Sequence, residues 1–262
     1  MKRSRIITYI VLTITSILVG IAIGGLLDSD NSSETSQSQE NYPLLADRLF
    51  VENPNDVRIN FSNLRSTLNN YFKDNSLSGS LYFEFLPTGS SVRVNGDARY
   101  RAASLIKLPV AMELFKAAEQ GKINLDDKIA LKQEWLNDGF GELYEKGVGY
   151  ELTYRDAVKI LLQDSDNTAL RLIIEATDSA LQIEDRALGA LDIEFNLDSE
   201  DGILVGTRSY SSFLKCLYFA CYNTKEDSQL ILEYLSETNF DNRIVAGVED
   251  KSITVAHKIG VF

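Results

Sequence analysis

Ser104 and Lys107 stand three residues apart in the run Ala102-Ala103-Ser104-Leu105-Ile106-Lys107. On a helix that spacing puts both side chains on one face, one turn apart. A lysine held among apolar residues releases its proton near neutral pH and can then accept the proton of a serine hydroxyl. At the start of a helix the dipole and the free N–H groups also favour a developing oxyanion. A second group, Ser165-Asp166-Asn167, follows 61 residues after Ser104. Its hydroxyl and carboxamide could face a cleft as a proton relay and an amide binder, although the same residue types serve as ordinary helix caps. The third is His257-Lys258-Ile259-Gly260. There a lysine could meet a ligand carboxylate and the glycine could permit close backbone approach. The plain alternatives are a cap with a surface lysine for the first group, and a surface lysine on a strand for the third.

The elements that must position these residues are legible from periodicity. Apolar residues from Val57 to Phe72 predict a helix. Gly79 to Leu86 alternates as a strand, Pro87-Thr88-Gly89-Ser90 is a turn, and Ser91 to Val94 starts a second strand, so the pair is an antiparallel hairpin. Leu105 to Gln120 is a helix with Gly121 as its C-cap, and its apolar content makes it central. Pro109 falls in its early part, where a missing N–H matters least. Thr153 to Gln163 opens with Thr153-x-x-Asp156, an approximate capping box. Asn167 to Ala176 and Thr207 to Tyr222 are further helices, the latter with Tyr210, Phe213, Leu214 and Leu217 on one face. Ser252 to Ile259 reads as a final strand. Hairpin first, helices between and strand last describe an α+β protein whose sheet is completed from both ends of the chain.

Composition narrows the function. The chain has 262 residues, 44% of them apolar and 24% charged, and its formal net charge is -12. That charge argues against a nucleic-acid partner, because phosphate binding needs a cationic surface. The single histidine, His257, excludes a metal site built on several histidines. Cys216 and Cys221 are the only cysteines. On a helix they would point about 140° apart, so free buried thiols are expected and no disulfide framework.

The N-terminus addresses a membrane. Residues 1–5 form a basic tail with Lys2, Arg3 and Arg5, and residues 6–27 carry no charge, long enough to span a bilayer. The flanking charges favour a cytoplasmic N-terminus with the rest of the chain outside, as a single-pass protein of the cell membrane. A cleaved signal peptide ending near Ala22-Ile23-Gly24 is the alternative. Residues 28–43 are polar and read as a flexible linker, so the domain occupies residues 44–262.

The three motifs in this order resemble the serine β-lactamase and penicillin-binding protein superfamily, whose motif set is Ser-x-x-Lys, Ser-Asp-Asn and Lys-Thr-Gly. The runs ASLIKLPVAMELFK and LLQDSDNTALRLII are similar to those of a class A β-lactamase-type domain. The resemblance implies a β-lactamase/transpeptidase-like fold, an antiparallel sheet with a helical subdomain. It makes Ser104 the acylated nucleophile, Lys107 its proton acceptor and Ser165 the relay to the leaving nitrogen. Asn167 would bind a substrate amide and position Lys107, while Lys258 would attract the substrate carboxylate beside Gly260. The backbone N–H groups of Ser104 and Val261 would form the oxyanion hole. A β-lactam or a peptidoglycan peptide is the implied substrate, with no cofactor, no metal and a monomeric enzyme.

Three departures stand out. Ile259 occupies the place of a family hydroxyl that binds the substrate carboxylate. His257 before it is expected on the side opposite Lys258. The interval from Asn167 to Thr207 contains Glu194, Glu200 and Asp201 but no Glu-x-x-x-Asn arrangement, so slow deacylation is expected. The chain ends at Phe262, so the family's C-terminal strands and helix are expected to be missing. A D-alanyl-D-alanine peptidase and a non-catalytic peptidoglycan-binding domain are the competing functions.

Overall fold

The computed structural model describes residues 53–177 and 203–261. The 6–27 stretch, the 28–43 linker and the acids Glu194, Glu200 and Asp201 lie outside the described residues. Among those described, no helix is long and apolar enough to cross a membrane. The chain divides into two compact units, and all the motif residues belong to the one formed by Phe61–Glu84 and Ser91–Phe262. In the other, Met1–Asn60 with Phe85–Ser90, the described part is turns apart from the strand residues Phe85 and Ser90. The Asp56 carboxylate accepts the Arg58 N–H at 2.8 Å, and the Ile59 and Asn60 N–H groups donate to the Asp56 carbonyl. These local bonds compete with a helix, so the predicted helix at Val57 begins later.

That helix, α1, is Ser62–Asp74. β1 (Leu81–Phe85) and β2 (Ser90–Val94) pair as the hairpin predicted, and Gly89 takes φ 70° at the turn. β3 (Arg99–Arg101) leads into a 3-10 turn, Ala103–Ile106, which runs directly into α2, Lys107–Glu119. Ten of the thirteen α2 residues are buried, which makes it the central helix that its composition predicted. β4 (Lys128–Ala130) pairs antiparallel with β5 (Glu151–Thr153), Ile129 opposite Leu152. Thr153 then caps α3, Tyr154–Gln163. Its hydroxyl accepts the Asp156 N–H at 3.0 Å and the Asp156 carboxylate takes the Thr153 N–H, so the predicted capping box is formed.

α4 (Asn167–Thr177) packs on α2 and α3, burying Ala169, Leu172 and Ile173. β6 (Leu204–Gly206) pairs antiparallel with β3, Tyr100 opposite Val205. α5 (Thr207–Tyr218) and α6 (Lys225–Ser236) close the core through Phe213, Leu217, Ile231 and Leu235. Leu214, predicted on the inner face of α5, is instead exposed. A short turn, α7 (Ile244–Gly247), precedes the last segment.

Two expectations are corrected here. The described residues hold three separate two-stranded pairs, and Ser252 to Ile259 is in none of them. A strand exists only by its ladder, and the backbone N–H of His257 goes instead to the carbonyl of Leu235 at the end of α6. The second concerns the cysteines, which are joined by a disulfide, Cys216–Cys221. α5 stops at Tyr218, Ala220 adopts φ 49°, and the Cys221 N–H returns to the Cys216 carbonyl. The chain doubles back and the two Cα atoms come within 5.0 Å, a normal bridging distance.

Candidate active site

β3 delivers the Ser104 segment. The Ala102 N–H donates to Ile203 at 2.7 Å, extending the β3–β6 pairing by one bond and burying Ala102. Ala103 then takes φ 47°, a left-handed conformation that a residue with a Cβ adopts only under strong constraint. That reversal turns the chain from the strand into the helix and leaves Ser104 half-buried on the first turn. Ser165 is the second strained residue of the site, at φ 56°, in the junction between α3 and α4.

Lys107, the first residue of α2, is 1% exposed. Its Nζ donates to Ser104 Oγ at 3.1 Å, to Asn167 Oδ1 at 2.7 Å and to the Ser165 carbonyl, with Ser165 Oγ at 3.4 Å. Burial pushes its pKa down to about 8, and the negative charge of Asp166 opposes the shift. Asp166 is fully buried and accepts the N–H groups of Leu143 and Ala169 at 2.9 and 2.8 Å, which locks the junction. Burial raises its pKa. Gly141 lies against it, at φ 85°, with room for no Cβ: one would fall 2.1 Å from Asp166 Oδ2.

Lys258 reaches the same cluster from the C-terminal segment. Its Nζ donates to Ser165 Oγ at 2.7 Å and to the Ile259 carbonyl at 3.2 Å. Burial, and then the positive charge of Lys107, push its pKa down to about 7. Ser165 therefore sits between two lysines, with acceptor and donor capacity for both. Gly260 does make a close backbone approach, but to the protein itself. A Cβ there would meet the Ala102 carbonyl at 3.0 Å and Leu105 Cγ at 3.2 Å. Ile259 and His257 are both buried, and neither ring nitrogen of His257 has a hydrogen-bond partner among the described residues. Burial and then the charge of Lys258 lower the pKa of this histidine.

A cavity of about 410 Å³ opens on this cluster, lined by Ser104, Lys107, Asn167 and Val261 together with Gly139, Phe140 and Leu170. Phe140 is a wall that sequence reasoning missed. Its carbonyl accepts the Asn167 N–H at 2.9 Å, so the loop is tied to the start of α4. An aromatic between two glycines, Gly139-Phe140-Gly141, is the only local signal of it. Among the described residues no group of acids, histidines and cysteines is placed to hold a metal ion.

An α+β domain that joins a serine at a helix start to a buried lysine, a second serine and a second lysine has the β-lactamase/transpeptidase-like fold. The model of the Beta-lactamase enzyme family matches residues 63–262, and the chain belongs to that family. Among solved structures, a β-lactamase from Sphaerobacter thermophilus DSM 20745 superposes with a TM-score of 0.68 at 25% identity, over 78% of this chain and 80% of that one. PBP-A superposes with a TM-score of 0.67 at 21% identity, over 76% of this chain and 77% of its own, a likeness of fold. Two Pseudomonas aeruginosa enzymes resemble the sequence. β-Lactamase CARB-4 is 29% identical over 163 residues, 58% of this chain and 56% of that protein. β-Lactamase PSE-4 is 31% identical over 125 residues, 47% and 43% respectively. The chain thus spans about half the length of the curated relatives it matches.

Proposed function

We propose that the protein is a class A-like serine hydrolase that opens β-lactams, or related cell-wall amides, through an acyl-enzyme on Ser104. The observation that carries this reading is the contact of Lys107 Nζ with Ser104 Oγ at 3.1 Å, from a buried lysine pushed down to about 8. Neutral Lys107 takes the Ser104 proton as Oγ bonds to the amide carbon. The C–N bond then breaks, the leaving nitrogen takes the Ser165 proton, and Lys258 or protonated Lys107 resupplies Ser165. Asn167 holds the substrate side-chain amide, Lys258 draws the substrate carboxylate, and the Ser104 and Val261 N–H groups receive the oxyanion. β-Lactam substrates are in keeping with the named relatives, and a PBP-A variant is known as an acyl-enzyme complex with penicillin G.

A peptidase-like variant of this chemistry, with slow deacylation, has one observation in its favour. No Glu-x-x-x-Asn arrangement follows Asn167 in the sequence to supply the base that would activate a deacylating water. A fluorescent penicillin tests both readings. Adduct on Ser104 that turns over many times per second means a β-lactamase, and adduct that persists for minutes means the peptidase-like variant. Absence of adduct on the wild-type chain removes the enzyme reading in favour of a peptidoglycan-binding domain.

The site is further proposed to work outside the cell membrane, as a monomer held by the uncharged 6–27 stretch. The Cys216–Cys221 disulfide supports an oxidising compartment. Protease treatment of spheroplasts should release or degrade the domain while the cytoplasmic proteins survive. A protected domain would overturn the location.

A further inference from the structure

We propose that Asn137, thirty residues before Asn167, is a positioning residue that holds the Asn167 carboxamide in the one orientation that presents its oxygen to Lys107. The inference rests on the acyl-transfer reading above and adds a residue to it. The Asn137 carboxamide cannot flip. The backbone N–H of Gly139 donates to Asn137 Oδ1 at 2.9 Å, which assigns the oxygen of the Asn137 carboxamide to that side. The same Oδ1 faces Asn167 at 3.2 Å, so Asn167 must present its NH2 there. Its own oxygen is then left to accept from Lys107 Nζ at 2.7 Å. Reversing Asn167 would set two carbonyl oxygens against each other and an NH2 against a protonated lysine. Both juxtapositions are unfavourable inside a half-buried cluster.

Asn137 is itself fastened. Its N–H donates to Thr168 Oγ1 at 3.0 Å, and the Thr168 hydroxyl returns to the Asn137 carbonyl at 3.3 Å. Thr168 is fully buried and adjacent to Asn167 on α4, so the loop and the helix move together. Gly139 leaves space for the pair. A Cβ there would stand 3.0 Å from Asn137 Oδ1 and 3.4 Å from Asn167 Nδ2. Two consequences follow for the chemistry. Lys107 keeps a fixed acceptor that steadies its charged form, and one of the two Asn167 N–H bonds is committed to Asn137, leaving the other for a substrate carbonyl.

The test is a double-mutant cycle on the full chain, with acylation by fluorescent penicillin measured across pH. Asn137→Ala should slow acylation by roughly fivefold to tenfold, the scale of one lost hydrogen bond in a charged network. It should also move the acid limb of the profile to lower pH, because Lys107 loses its fixed acceptor. In an Asn167→Ala background the same substitution should change the rate by less than about twofold. Asn137→Asp keeps the acceptor and adds a negative charge, so its acid limb should move the opposite way. A loss that persists undiminished in the Asn167→Ala background would overturn the inference, as would wild-type rates in Asn137→Ala. A readout independent of activity is the Asn167 side-chain NH2 in nitrogen-15 NMR. It should exchange slowly with solvent in the wild type and in Asn137→Asp, and quickly in Asn137→Ala. If penicillin acylates nothing, the acyl-transfer reading fails while this measurement still decides the placement of Asn167, and equal exchange in all three proteins would refute it.

Discussion

At the scale of single residues the site is a pair of lysines sharing one serine hydroxyl. In the proposed reaction their demands are opposite: Lys107 must be neutral to accept a proton, and Lys258 must be charged to draw an anion. Burial moves both down, to about 8 and about 7. Acylation should therefore rise with pH as Lys107 deprotonates and fall again as Lys258 does, with a narrow maximum between neutral and mildly alkaline pH. Lys258→Arg keeps its charge at every accessible pH, so the alkaline decline should disappear and the rate should keep rising until Lys107 is deprotonated, above about pH 8. Stopped-flow acylation across pH 5 to 10 measures both limbs, and an unchanged alkaline limb in Lys258→Arg would assign that limb to another group. Lys107→Ala should lower the rate by roughly 100-fold or more at all pH values.

At the scale of elements, short covalent and polar locks decide where helices stop and start. The Cys216–Cys221 bridge closes the turn at the end of α5, immediately before Tyr222 and Asn223. Those two residues fasten α2: the Tyr222 hydroxyl donates to Glu113, and Asn223 Nδ2 donates to the Met112 carbonyl at 2.9 Å. Closing so short a loop contributes about 2 kcal/mol by chain entropy. Reduction, or Cys216→Ala with Cys221→Ala, should lower the thermal midpoint by several degrees, read by calorimetry with and without a reductant. The α3 capping box is a milder lock. Thr153→Ala should destabilise by about 1 kcal/mol in urea unfolding, with an unchanged m-value.

Across the whole molecule, the burial of Lys258 opposes stability. Lys258 is held with a pKa near 7, whereas an unfolded chain returns it to about 10.4. Below pH 7 both states bind the proton and the folded state bears the full penalty. Between about 7 and 10.4 the folded state binds fewer protons than the unfolded one, so stability rises with pH. Lys258→Met removes this dependence. The variant should melt above the wild type at pH 6 to 7, and the difference should shrink toward pH 10. A constant difference would mean that the lysine is not desolvated in the folded chain.

Read alone, the sequence determined most of the helical frame and picked out the residues on which the proposed chemistry rests. Ser104 with Lys107, Thr153 with Asp156, and the apolar face of α4 are local patterns, resolved within one or two turns of chain. What only the tertiary structure decided spans longer separations. Lys258 meets Ser165 across 93 residues. Asn137 meets Asn167 across 30, from a loop with no periodicity to read. The cysteine pair escaped local reasoning for a different cause. An unbroken helix would have parted them, and the left-handed Ala220 ended it first. The Ser252 to Ile259 segment has the alternation of a strand but no ladder among the described residues, because a strand, unlike a helix, depends on a partner that its own sequence does not encode.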